Sequence, residues 1–126
     1  AVQSSQINGL SVTGQRQTAI FLDKHFDVVL ASPNNDMRAV FQGAAIDETQ
    51  SELVYRATRH LPSYLLAWAK LRWLKDEVPQ LYERVRFVCT IADWIALRLT
   101  GILKIERSFA IESGLVDIVS NNQTFA

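Results

Sequence analysis

Residues Lys70 to Glu77 read KLRWLKDE, and with the preceding SYLLAWA of Ser63 to Ala69 they form the stretch on which the fold turns. The run predicts a helix from about Ser63 to Asp76. Pro62 is tolerated in its first turn, where a missing amide proton leaves no intrahelical bond unmade. The apolar residues Leu65, Leu66, Trp68, Ala69, Leu71, Trp73 and Leu74 cover most of the circumference, which marks a helix buried on several sides. Lys70 falls among them. The ordinary reading of such a lysine is a long stem crossing apolar surface with its ammonium in water.

Working outward toward the carboxy terminus, Pro79 opens a shorter helix to about Arg84, and Phe87 to Cys89 read as a buried strand. Thr90 and Asp93 have the spacing of a capping box for a helix from Ala92 to Leu99, with Gly101 placed to end it. Ile102 to Ile105 and Leu115 to Ile118 resemble short strands around a helical turn at Ser108 to Glu112. From Ser120 onward the chain is polar and is expected to be loose. Upstream, Ile7 to Thr13 and Thr18 to Leu22 favour strand and are separated by the polar GQRQ. Turn residues at Asp23 to Asp27 return the chain through Val28 to Leu30, so an antiparallel meander is expected at the start. After the irregular ASPNND of Ala31 to Asp36, Met37 to His60 favour helix, interrupted near Gly43 to Ile46. The alternation of strand and helix predicts an α/β fold.

The 126 residues fit one domain or part of one. Thirteen basic and thirteen acidic side chains balance, so no electrostatic footprint for nucleic acid or an anionic membrane is expected. No apolar run is long enough to span a bilayer, and AVQSSQ lacks the order of a signal peptide. Cys89 has no partner for an internal disulfide and sits in the apolar FVCTIA, which predicts a buried thiol and a cytoplasmic setting. The sequence holds no Walker loop, GxGxxG, GxSxG or metal-spaced Cys and His pairs. His25 reads as a turn residue, and His60 as closing a helix by contacting its last carbonyls. Trp68, Trp73 and Trp94 read as core.

Three blocks, KLRWLKDE, TIADWIALRLTG of Thr90 to Gly101 and SGLVDI of Ser113 to Ile118, resemble in order and spacing the amino-terminal lobe of FGGY carbohydrate kinases. The resemblance covers roughly the whole chain. GQRQTAIFLD of Gly14 to Asp23 is similar to the family strand-turn-strand in which a Gln precedes two sugar-contacting residues, here Arg16 and Gln17. Glycerol kinases carry Arg-Glu there and xylulokinases Met-His, so Arg16 follows the first pattern and Gln17 departs from both. NNDMRA resembles the family Trp-Asn-Asp-x-Arg segment, with Asn34 in place of Trp, and makes Asp36 a candidate for the pocket or its walls. Leu65 and Ala67 depart from the signature around Lys70. YRAT of Tyr55 to Thr58, together with NDMRA, is similar to the autoinducer-2 kinase subgroup.

The resemblance implies a ribonuclease H-like, actin-like ATPase domain of α/β class, incomplete, with antiparallel strands at the start and several helices. Residues 1–126 are read as part of the N-terminal FGGY kinase domain, lacking the first strands and the whole C-terminal domain. It implies ATP-dependent phosphorylation of a small hydroxylated substrate, a sugar or polyol. Arg16 gives two parallel donors, Gln17 a donor and an acceptor, and Asp36 acceptors only, a set suited to reading a diol. The catalytic base is expected in the absent C-terminal lobe. ATP and Mg are expected for the full-length protein and none for this fragment, which is expected to be inactive alone. A homodimer through an exposed sheet edge at Ile7 to Thr13 is also expected. The competing reading is a non-catalytic sugar-sensing or interaction module that shares the lobe.

Overall fold

Four consecutive apolar residues, AIFL, make the central strand of the fold. The computed structural model describes residues 3–120. In it, β1 (Ala19–Leu22) is buried at every position. It pairs antiparallel with β2 (Val28–Ser32) on one side and β3 (Phe87–Cys89) on the other, giving the order β2-β1-β3. Side chains alternate across a strand, so a run apolar at every position needs cover on both faces. Ala19 and Phe21 pack with Ala67 and Leu74 of α2 (Ala67–Glu77). Ile20 and Leu22 pack with Cys89 and with Leu97 of α4 (Ile91–Thr100). The result is an α/β layer arrangement, with a helix against each face of a short antiparallel sheet.

Around this sandwich lie α1 (Val40–Thr58), α3 (Pro79–Tyr82) and α5 (Arg107–Glu112), with 3-10 turns at Ser4–Gln6 and Met37–Ala39. A third apolar cluster of Ala39, Leu66, Trp68 and Ala69 joins α2 to α1 through Ile46 and Val54. The capping box predicted at Thr90 and Asp93 forms: Thr90 Oγ1 accepts from the Asp93 amide, and Asp93 Oδ2 accepts from the Thr90 amide at 3.0 Å. Gly101 ends α4 in the left-handed region at φ 74°, donating to the Leu97 carbonyl. Cys89 is buried, and burial first, with Asp93 adding, pushes its thiol up to about 12.

Several expectations are corrected. Residues 7–13 form no strand: they make no ladder with the sheet, and both edges of β1 are taken by β2 and β3. The edge expected to carry a dimer therefore does not form there. The helix break is at Gln50 (φ −138°, ψ 16°), not at residues 43–46. Gly43 instead permits contact, since a Cβ there would lie 2.6 Å from the Tyr64 backbone nitrogen. Helix α2 starts at Ala67, because Ser63 Oγ accepts the Leu65 amide and Ser63 O accepts the Leu66 amide in a tight turn before it. Residues 102–105 are not a strand, and of 115–118 only Val116 makes an isolated bridge. The Ile118 amide donates instead to the Ala57 carbonyl at 2.8 Å. His60 does not bond its own helix through its ring: its Nε2 meets the Ile111 carbonyl at 3.0 Å and ties α5 to the end of α1. The expectation for the tail concerns residues that, beyond 120, lie outside those described.

The contact at Gly43 yields a stability test. Gly43→Ala is expected to lower the unfolding free energy by about 1–3 kcal/mol through overpacking, read as a lower denaturant midpoint at unchanged slope. A midpoint equal to the parent's would show that α1 and residues 63–64 separate at no cost.

Candidate functional site

Two loops meet at the end of the sheet where β1 begins and β2 ends. The first, residues 14–18, carries Arg16 and Gln17; the second, residues 33–36, carries Asp36. Gln15 spans them, its Oε1 accepting from Thr18 Oγ1 at 2.9 Å and from the Asn34 amide at 3.4 Å. Gly14 lets the first loop close on α4, since a Cβ there would lie 2.6 Å from Ile91 Cγ2.

Beneath the loops lies Lys70, in the first turn of α2 and fully buried. Its ammonium donates to the Pro33 carbonyl at 2.7 Å and to the Ser32 and Gln17 carbonyls at 3.4 Å each. The expectation that this ammonium reaches water is thus overturned. Lys70 lies among Ala67, Trp68, Ala69 and Leu74 on the buried side of α2, away from its exposed residues Arg72, Lys75 and Asp76, and backbone carbonyls take the place of water. Burial lowers the Lys70 pKa to about 8, with the Asp36 carboxylate opposing and Arg38 adding to the shift.

Asp36 caps the turn Met37–Ala39, its Oδ1 accepting from the Arg38 amide at 3.1 Å. Its Oδ2 accepts from Ser32 Oγ at 2.8 Å and pairs with Arg38 Nε at 2.7 Å. Burial alone would raise this carboxyl, but the bonds from Arg38 and Ser32 outweigh it and hold it below the usual carboxylate range. The Arg38 guanidinium also stacks over the Trp73 ring, 4.8 Å from its centroid. With three bonds on a group that has about four acceptor sites, Asp36 keeps room for one more donor.

The structure brings Gln17 and Asp36 to the same corner through Lys70. Arg16 is exposed and faces elsewhere, 3.5 Å from Glu112 of α5. Gln17 itself has φ 61°, the left-handed region that non-glycine residues seldom adopt. Sequence reasoning missed the burial of Lys70 and the bridging roles of Gln15 and Ser32. The crowding of apolar residues around Lys70 was the available signal. His25 behaves as a turn residue, its amide donating to Asp23 Oδ1. Trp68 is buried, and Trp73 and Trp94 pack against the apolar clusters as expected.

A cavity of about 780 Å³ lies elsewhere, between β3, α2, α3 and α5, lined by Phe21, Leu71, Tyr82, Val88 and Leu115 among others. It contains none of Arg16, Gln17 or Asp36. Among the described residues no three His, Cys, Asp or Glu side chains gather as a metal site, and no helix is long and apolar enough to cross a membrane.

This helix-flanked sheet is part of an actin-like ATPase fold, the fold of a class of sugar phosphotransferases. Residues 1–123 match the N-terminal domain of the FGGY family of carbohydrate kinases, and the chain belongs to that family. It is 36% identical over 115 residues to the Bacillus subtilis protein named "Putative sugar kinase YoaC", covering 91% of this chain and 23% of that one. It is 31% identical over 126 residues to the autoinducer-2 kinase of Salmonella choleraesuis, covering 97% and 24%. Among solved structures, the xylulose kinase from Rhodospirillum rubrum superposes with a TM-score of 0.83 at 28% identity, covering 96% of this chain and 26% of that one. The chain spans about a quarter of the length of these relatives.

The buried ammonium has a thermodynamic signature. Between its folded value of about 8 and the ordinary 10.5, the folded state releases the Lys70 proton before the unfolded state does. Unfolding then takes up a proton, so the contribution of Lys70 to stability rises with pH across that window. The difference in unfolding free energy between the parent and Lys70→Met is expected to shift toward the parent from pH 7 to pH 10, groups common to both cancelling. A constant or reversed difference would overturn the lowered value.

Proposed function

We propose that this chain is the substrate-reading part of the amino-terminal lobe of an ATP-dependent kinase for a small hydroxylated molecule, a sugar, polyol or related compound. The observation that carries the reading is the juxtaposition, in a family member, of the Gln17 and Asp36 loops over Lys70. Arg16 stands beside Gln17, and its exposed contact with Glu112 is a weak surface pair, so its guanidinium is readily given up to a ligand. Arg16 presents a planar fork to neighbouring oxygens, Gln17 adds a donor and an acceptor, and Asp36 offers its remaining acceptor site.

Such a set binds and orients a diol. It does not transfer a phosphoryl group, which depends on positioning and on charge stabilisation around the nucleotide. ATP supplies that group when bound. No residue of this chain is assigned to ATP or Mg, and no step is routed through them. The base that activates the hydroxyl belongs to a further lobe of the parent protein. The 126-residue chain alone is therefore inactive.

The test is sugar-dependent ADP release by the complete natural polypeptide with D-xylulose, glycerol and autoinducer-2. Turnover of at least one is expected, with none from residues 1–126 alone. Arg16→Ala is expected to raise KM about tenfold or more with kcat within about threefold, since a hydrogen bond to a charged group contributes about 1.5–3 kcal/mol. No turnover of any of the three, or an unchanged KM, would reject the reading.

A further inference from the structure

A buried lysine is a costly device for stability alone. An apolar side chain of similar length fills such a space without stripping water from a charge. Lys70 nevertheless aims its ammonium out of its own helix and onto three carbonyls, from the 14–18 loop, the end of β2 and the 33–36 loop. One of these, Gln17, holds the left-handed conformation that its side chain disfavours, at φ 61°. Strained backbone persists where surrounding contacts over-determine it, and here the Lys70 bond to the Gln17 carbonyl is one such contact. Asp36, on the other loop, attracts the same ammonium.

We propose that Lys70 is a positioning residue for substrate selection: by holding the carbonyls of Gln17, Ser32 and Pro33 together, it sets the spacing between the Arg16–Gln17 loop and the Asp36 loop. The inference rests on the reading of those loops as the substrate-binding groups. Lys70 itself touches no substrate. An ammonium has three donors, and here one makes a short bond to the Pro33 carbonyl at 2.7 Å with the Ser32 and Gln17 carbonyls at 3.4 Å beside it. Hydroxyl-reading groups held at one spacing favour one arrangement of hydroxyls, and a displacement of about 1 Å is enough to cost on the order of 100-fold in rate. Removing the ammonium leaves Arg16, Gln17 and Asp36 in the chain but frees their separation.

The test uses Lys70→Met, which keeps an apolar stem and removes the donors, in the complete natural polypeptide. Two readouts are taken. The first is backbone amide hydrogen exchange at residues 15–18 and 34–36, expected to quicken at least tenfold in both loops while protection in β1 and α2 is retained. The second is kcat/KM for D-xylulose, glycerol and autoinducer-2. The variant is expected to raise KM for the preferred compound at least tenfold and to shrink the ratio between preferred and next-best compounds at least fivefold, with kcat changed less. Exchange unchanged in the loops would overturn the clamp. Quickened exchange with an unchanged selectivity ratio would overturn its part in selection and leave a purely structural lysine. Failure of the parent to phosphorylate any of the three rejects the kinase reading and with it selection, while loop exchange still decides the clamp. If Lys70→Met lacks a cooperative unfolding transition, Lys70→Gln, with a neutral donor, carries the same measurements.

Discussion

The ammonium of Lys70, enclosed under two loops and bonded to three backbone carbonyls, is the interaction around which this domain is arranged. Withdrawing a charge of that kind from water costs several kcal/mol even after relaxation. The cost is offset only where dipoles and an opposite charge converge, and here the carbonyls of Gln17, Ser32 and Pro33 and the nearby Asp36 supply them. Asp36 is in turn held by Ser32 and Arg38, and Arg38 lies on Trp73 of the same helix that bears Lys70. A closed circuit thus runs from α2 through both loops and back to α2, joining packing to electrostatics.

The circuit depends on the sheet being where it is. β1 is apolar at every position and therefore buries alternate side chains against α2 and α4. That two-sided burial sets α2 across the ends of β1 and β2, which brings Lys70 under the loops at those ends. The Thr90–Asp93 capping box and the left-handed Gly101 fix the length of α4 on the opposite face. Asp93 reaches further, its Oδ1 accepting the Glu106 amide at 3.0 Å, so one carboxylate both starts α4 and anchors the approach to α5.

Features decided by near neighbours were legible in the residues. The strand at residues 19–22, the hairpin turn after it, Pro79 at the start of α3, the strand at 87–89 and the cap at Thr90 all follow from spacing within a few positions. Features that need a distant partner were not. Residues 7–13 have strand-like composition, yet the neighbouring places along β1 are taken by other strands. Gly43 looks like a helix breaker in sequence and is a contact with residues 63–64 in space. His60 looks like a helix terminator and bonds a carbonyl 51 positions away. Of the candidate site, Arg16, Gln17 and Asp36 were named from resemblance, while the support that unites two of them was not seen.

The sequence by itself determined the α/β class, the local caps and turns, and the family to which the chain belongs, because propensity, alternation and motif order act over short spans. Only the tertiary structure decided that Lys70 is a buried hub and not a surface lysine. A lysine's stem is compatible with either setting. The choice depends on whether water or carbonyl oxygens lie at its tip, and those oxygens come from residues 37, 38 and 53 positions away along the chain.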